Sequence, residues 1–216
     1  MRVWHIVRYI LPGVGNTLLL TATSFVVGAL VAIPLTVAGR SAIAPVRAVI
    51  KAIVELVRSI PVLVWLFIVF FGLPQEGLSP SPLTAAIFTL GGVSAVYLSE
   101  IYRGGIAAID RGQFEASRAL GLGRIDTGTR IIGPQVFRVV LPPVATYGIG
   151  LLKDSALAST IGVVEITFRA NAVTQVTGKG LTSYVVAGVI YVLIGLPLAV
   201  VSRHVDSRMR ARFSLT

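Results

Sequence analysis

The charged residues set inside apolar surroundings are few in this chain, and they are where chemistry is to be sought first. Lys153 and Asp154 stand side by side in an otherwise apolar stretch, at about 139–164. Glu55 and Arg58 stand three apart near one end of an apolar run, and Glu100 and Arg103 do the same at another. A charge at mid-bilayer costs about 2.5–3.5 kcal/mol on insertion scales, so such groups face a wet cavity or each other. Adjacent helical residues project about 100° apart. Lys153 and Asp154 therefore cannot form an ideal mutual pair, and each needs another partner or water. Ser155 and the small residues Gly148, Gly150, Ala156 and Ser159 around them leave room for a cavity or an unwound turn. Lys153, Asp154 and Ser155 are thus candidates to line a polar pathway, or else structural ties between helices. Glu55–Arg58 and Glu100–Arg103 are spaced to pair along one helix face, as structural ties or as a gate that re-pairs.

Other chemistries find less support. The chain has no cysteine, which excludes disulfides, thiolate metal sites and cysteine nucleophiles. His5 and His204 are isolated, so no metal site is expected. No nucleophile, base and orienting group converge in the sequence. There is no G-x-x-x-x-G-K-[ST] phosphate loop, so any ATP chemistry belongs to another chain.

The elements that must position these residues are membrane helices. Of the 216 residues 55% are hydrophobic and only 13% charged, with a mean hydropathy of +0.86. That composition indicates an all-α integral membrane protein, with apolar segments of about 20 residues crossing a core of about 30 Å. Five spans are expected, at about 16–38, 52–72, 83–101, 139–164 and 182–202, in one domain covering 1–216. Pro45 reads as a breaker in the basic loop at 40–51, and the Gly91-Gly92 pair as a bend or a close helix contact. Trp65, Phe67, Phe70 and Phe71 read as lipid-facing or helix-packing residues. The opening MRVWHIVRYILPG is interrupted by Trp4, His5 and Arg8 and does not read as a cleavable signal.

Charge orients the spans. With the N-terminus outside, the inner segments hold thirteen bases: Arg40, Arg47, Lys51, Arg103, Arg111, Arg118, Arg124, Arg130, Arg138, Arg203, Arg208, Arg210 and Arg212. The outer segments hold four: Arg2, Arg8, Arg169 and Lys179. Lys and Arg concentrate on the cytoplasmic side, which predicts N-out, C-in. The same bias accounts for the net charge of +10 without a nucleic-acid partner.

The charged interval at 103–138 then faces the cytoplasm. Within it, EASRALGLGRIDTGTRIIGP (115–134) is the longest polar interruption between apolar segments. Residues 115–122 suit a short helix, with Asp110 and Gly112 turning into it and Gly121 and Gly123 ending it. Ala116, Ala119 and Leu120 share one face. So short a helix is not stable alone and must pack on something. A partner protein and the chain's own membrane helices both fit.

The interval is similar to the EAA motif of permease subunits of ABC importers, EAA-x3-G-x9-I-x-L-P. Glu115, Ala116 and Ser117 fill its first places, and Gly121, Ile131 and Pro134 follow at the motif's spacing. Ser117 stands for alanine and Gly133 for leucine. The blocks at 13–35, 55–74, 95–123 and 141–166 also resemble the polar amino acid permeases of that class, so the likeness covers nearly the whole chain. It implies a type I importer permease fold with a cytoplasmic coupling helix, in a bacterial plasma membrane. It implies two ATP-binding subunits holding ATP and Mg below, a second identical or homologous permease alongside, and an extracytoplasmic binding protein delivering amino acid above. Ala116, Ala119, Leu120, Gly121 and Leu122 would form the docking face, with Glu115 and Arg118 on its rim and Ser117 within the motif. Lys153 would meet an amino acid's carboxylate and Asp154 its ammonium. No cofactor and no catalysis are expected in this chain. A passive channel or ion-coupled carrier is the rival reading; a membrane-embedded enzyme is a weaker one.

Overall fold

The computed structural model describes residues 3–213, and the side chains of residues 3–200 and of Ser202. Arg2, His204 and the tail bases Arg203, Arg208, Arg210 and Arg212, which enter the charge count, lie outside the described side chains. Among the described residues there is no strand. Helices α1 (Val3–Ile10) and α2 (Gly13–Gly39) follow one another. Next come α3 (Ala44–Ser59), α4 (Val62–Gly72), α5 (Pro82–Ala107) and α6 (Arg111–Ala119). The short α7 (Arg124–Asp126) passes through a π-helical stretch, Thr127–Ile132, into α8 (Gly133–Asp154). After a 3₁₀ segment, Ser155–Ile161, the chain closes with α9 (Ile166–Thr177) and α10 (Gly180–Phe213).

Four of the expected spans are helical runs long and apolar enough to cross a bilayer: Val3–Gly39, Pro82–Ala107, Arg124–Ile161 and Gly180–Val200. The second, expected as one run at 52–72, is a broken pair. α3 and the helix after it meet at 101°. Pro61 has no N–H to continue the ladder, and it holds Ile60 extended, at φ −102° and ψ 130°. Trp65 braces the corner by donating from its indole N–H to the Val57 carbonyl at 3.2 Å. Pro45 likewise departs from its expected role. It lies in the first turn of α3 and starts a helix, because that position has no N–H partner to lose. The polar stretch after 165 folds into α9.

The centre of the fold is the α2–α5 seam. A repeat of small residues on α2, including Ser24, Gly28 and Thr36, is buried along the seam with α5. At Gly28 an added Cβ would collide with the Ser94 Cβ, so only glycine admits this approach. Of the Gly91-Gly92 pair, Gly91 meets Val27 in this seam, where a Cβ would lie 3.1 Å from Val27 Cγ1, while Gly92 faces open space. One apolar core joins Leu20, Leu66, Leu90, Leu151 and Ile161 across α2, α4, α5, α8 and the 3₁₀ segment. A second joins Ile6, Ile10, Ile166, Val173 and Ile190 across α1, α9 and α10.

Candidate coupling segment and pathway residues

Helix α6 begins four residues before Glu115. Asp110 is its N-cap, with the carboxylate accepting from the Gly112 N–H at 2.7 Å, so Gly112 lies inside the first turn and not ahead of it. At the other end Leu120 closes the helix and Gly121 turns left-handed, at φ +71°. The Leu122 N–H reaches back to the Ser117 carbonyl at 3.0 Å and the Gly121 N–H to the Arg118 carbonyl at 2.9 Å. These two bonds make a Schellman cap, which satisfies two of the carbonyls a helix end leaves open. The motif's glycine thus has a local backbone reason.

The structure divides the eight predicted coupling residues. Glu115, Ala116, Arg118, Ala119, Leu120 and Gly121 are exposed, and the Leu120 side chain is 77% exposed. Ser117 is buried, its hydroxyl donating to the Gln113 carbonyl at 2.7 Å, and Leu122 is half-buried. Ser117 therefore seats the helix on its own chain while Leu120 projects from it. Gln135 of α8 donates to the Gln113 side chain at 3.2 Å and ties α6 to the helix that follows.

Gly133, where the motif expects leucine, ends the π-helical stretch. Its N–H donates to the Gly128 carbonyl five residues back, and an added Cβ would sit 2.7 Å from that oxygen. The departure from the motif and the π turn fall on the same residue.

Lys153 and Asp154 do not lie mid-helix. They are the last two residues of α8, and the backbone then tightens into the 3₁₀ segment, which ends at left-handed Gly162, φ +92°. Neither joins an ion pair among the described residues. Lys153 is exposed and lines a cavity of about 470 Å³ with Leu152, Tyr191 and Gly195, between α8 and α10. Asp154 is half-buried and, seven residues on from Tyr147, shares that residue's helix face. Ser155 is fully buried, and its hydroxyl is engaged on the Leu152 carbonyl at 2.7 Å.

The two three-apart pairs part company. Arg103 binds Glu100 as expected, with Nε 2.9 Å from Oε1. Glu55 instead takes Lys51 at 3.7 Å, and Arg58 reaches across to Glu100 at 3.9 Å. The break at Pro61 turns α3 so that Arg58 faces α5. Arg58 also lies over the Tyr97 ring at 5.7 Å, and Tyr97 stacks on Tyr147. Tyr147 donates to the Ser94 hydroxyl at 2.9 Å.

Sequence reasoning missed Glu165. This carboxylate is fully buried. It caps α9, accepting from the Phe168 N–H at 2.6 Å, and it accepts from the Tyr191 hydroxyl of α10 at 2.6 Å. Beside it the Thr17 hydroxyl of α2 accepts from the Ile166 N–H at 3.3 Å. Burial pushes the Glu165 carboxyl above its ordinary value, against the bonds from Tyr191 and the α9 backbone. An acid three residues before a helical N–H is a readable cap signal; a tyrosine 26 residues further on is not.

Apolar helical spans with a capped, exposed short helix slung between two of them match the architecture of a type I ABC importer permease. The chain belongs to the family described as "Binding-protein-dependent transport system inner membrane component", which matches residues 24–211. It is similar to the "Probable amino-acid ABC transporter permease protein YckA" of Bacillus subtilis (strain 168), with 36% identity over 183 residues, covering 85% of this chain and 81% of the relative. It is also similar to the "Glutamate/aspartate import permease protein GltK" of Escherichia coli O157:H7, at 34% identity and 93% coverage of both chains. Its fold superposes on the solved "amino acid ABC transporter with histidines" with a TM-score of 0.89 at 30% identity, over 96% of this chain and 99% of that one.

Proposed function

We propose that the chain is the permease of an ATP-driven importer of polar amino acids, working by alternating access in a bacterial plasma membrane, N-out and C-in. Two ATP-binding subunits hold the ATP and Mg and carry out hydrolysis, and one of them docks on α6. A second permease completes the pathway, and an extracytoplasmic binding protein delivers the substrate. The observation that carries this reading is the exposed Leu120 at the end of a rigidly capped α6. An apolar side chain held out on a fixed backbone is suited to a partner's cleft, and its position agrees with the motif. Coupling is then a population shift, with each ATPase state binding one membrane conformation better.

The test is Leu120→Asp, with Gly121→Val as a second variant, read by ATPase co-purification and by substrate-stimulated ATP hydrolysis. Loss of both is expected. Unchanged association and stimulation would sink the docking assignment and favour an ATPase-independent carrier.

For the pathway, Lys153 takes the substrate's carboxylate from the α8–α10 cavity, and Asp154 takes the ammonium at the same helix end. The exposure of Lys153 in that cavity supports the first contact.

A further inference from the structure

A basic hollow of about 520 Å³ lies between the end of α2 at Gly39, helix α3 and the last turns of α5. Arg47, Lys51, Arg58 and Arg103 face it, with Glu55 and Glu100 as its acids, so four cations stand against two anions. The ion pairs do not remove the surplus. Arg58 and Arg103 share the one Glu100 carboxylate, and Lys51 has Glu55. Arg47 donates to the Ser41 carbonyl at 3.0 Å.

On α2 and α5 the lining changes character one turn deeper, while α3 presents Ile53 and Val57 on an adjoining face, interleaved in sequence with Lys51, Glu55 and Arg58. Leu35 on α2, Ile53 and Val57 on α3 and Val96 on α5 line a second hollow, of about 340 Å³, with Trp65 and Phe88 further along. Leu35 precedes Gly39 by four residues, and Val96 precedes Glu100 by four, so on these two helices the step between the hollows is one helical turn. A cationic hollow and an apolar slot thus adjoin on the same three helices, at the end of the spans that carries the inner bases.

We propose that the two hollows form one binding site for an anionic phospholipid of the cytoplasmic leaflet. Its phosphate sits among Arg47, Lys51, Arg58 and Arg103, and an acyl chain lies along the apolar slot. The basic hollow alone would suit any free anion; the adjoining slot is what selects a lipid. Clustered bases at the cytoplasmic ends of spans are the chemistry that retains anionic headgroups. The lipid would brace α3 against α2 and α5, at the helix that Pro61 sets at an angle. The leaflet assignment rests on the N-out, C-in reading above.

Native mass spectrometry of the full chain in detergent, with phosphatidylglycerol and phosphatidylcholine of equal chain length, tests the site. Wild type should retain phosphatidylglycerol preferentially. Arg47→Gln with Lys51→Gln should cut that preference by about fivefold per base removed, roughly 25-fold together. Arg47→Lys with Lys51→Arg should keep it, and Arg8→Gln, near the opposite end of α2, should leave it unchanged. Val57→Trp, which fills the slot, should release the lipid. Equal retention of both lipids by wild type overturns the proposal, as does an undiminished preference in the double glutamine variant. Retention unaffected by Val57→Trp shows that the apolar slot holds no acyl chain and overturns the two-hollow site. Sidedness is read apart from this, by labelling of Arg124→Cys. Labelling from outside would remove the leaflet assignment while a lipid preference in detergent still stood.

Discussion

At the scale of single residues, Lys153 and Glu165 divide two roles that a charge in an apolar chain can take. Lys153 is exposed into a cavity and free of ion pairs among the described residues, which suits transient contact with a carboxylate. Lys153→Ala should lower uptake by about tenfold or more, the worth of one charge-assisted hydrogen bond. Wild-type uptake in both Lys153→Ala and Asp154→Ala would defeat the pathway reading. Glu165 is buried and fully engaged, so its role is structural. Glu165→Ala should cost about 1–3 kcal/mol in thermal unfolding, through the lost cap and the orphaned Tyr191 hydroxyl. Its pH dependence has a definite sign. The folded pKa lies above the ordinary 4.5, so the stabilisation is complete below that value and is lost as the pH rises through the folded one. Unfolding midpoints of Glu165→Gln should therefore fall less than wild type's as the pH rises from 4.5.

At the scale of elements, the readable features were those with local causes. The end of α6 at Gly121 is a backbone requirement, and the apolar spans follow from length and composition. The early start of α6 needed the Asp110 cap to be weighted above Gly112. The 101° break needed Pro61 to outrank the continuous hydropathy around it. The re-pairing of Arg58 with Glu100 joins residues 42 positions apart, which no spacing rule reaches. The π stretch is the least legible element and yields a direct prediction. Gly133→Leu restores the motif but sets a Cβ 2.7 Å from the Gly128 oxygen. It should force the turn toward α-helical bonding and shift substrate-stimulated ATP hydrolysis while leaving α6 bound to its partner. Unchanged stimulation would show that the π turn plays no part in transmission.

At the scale of the whole molecule, the charge count predicts N-out, C-in, and Arg124→Cys should label only from the cytoplasmic side. The α2–α5 seam makes those two helices a unit. Gly28→Leu should destabilise the protein by about 1–3 kcal/mol through overpacking, with Gly28→Ala intermediate. The cluster around Glu165 also has a consequence for how the chain is made. Thr17 comes from the first long helix, Glu165 from the turn before α9 and Tyr191 from α10. During synthesis the acid is made before its tyrosine. A nascent chain stopped short of residue 191 would leave that carboxylate without its tyrosine donor, which comes from the last long helix to emerge.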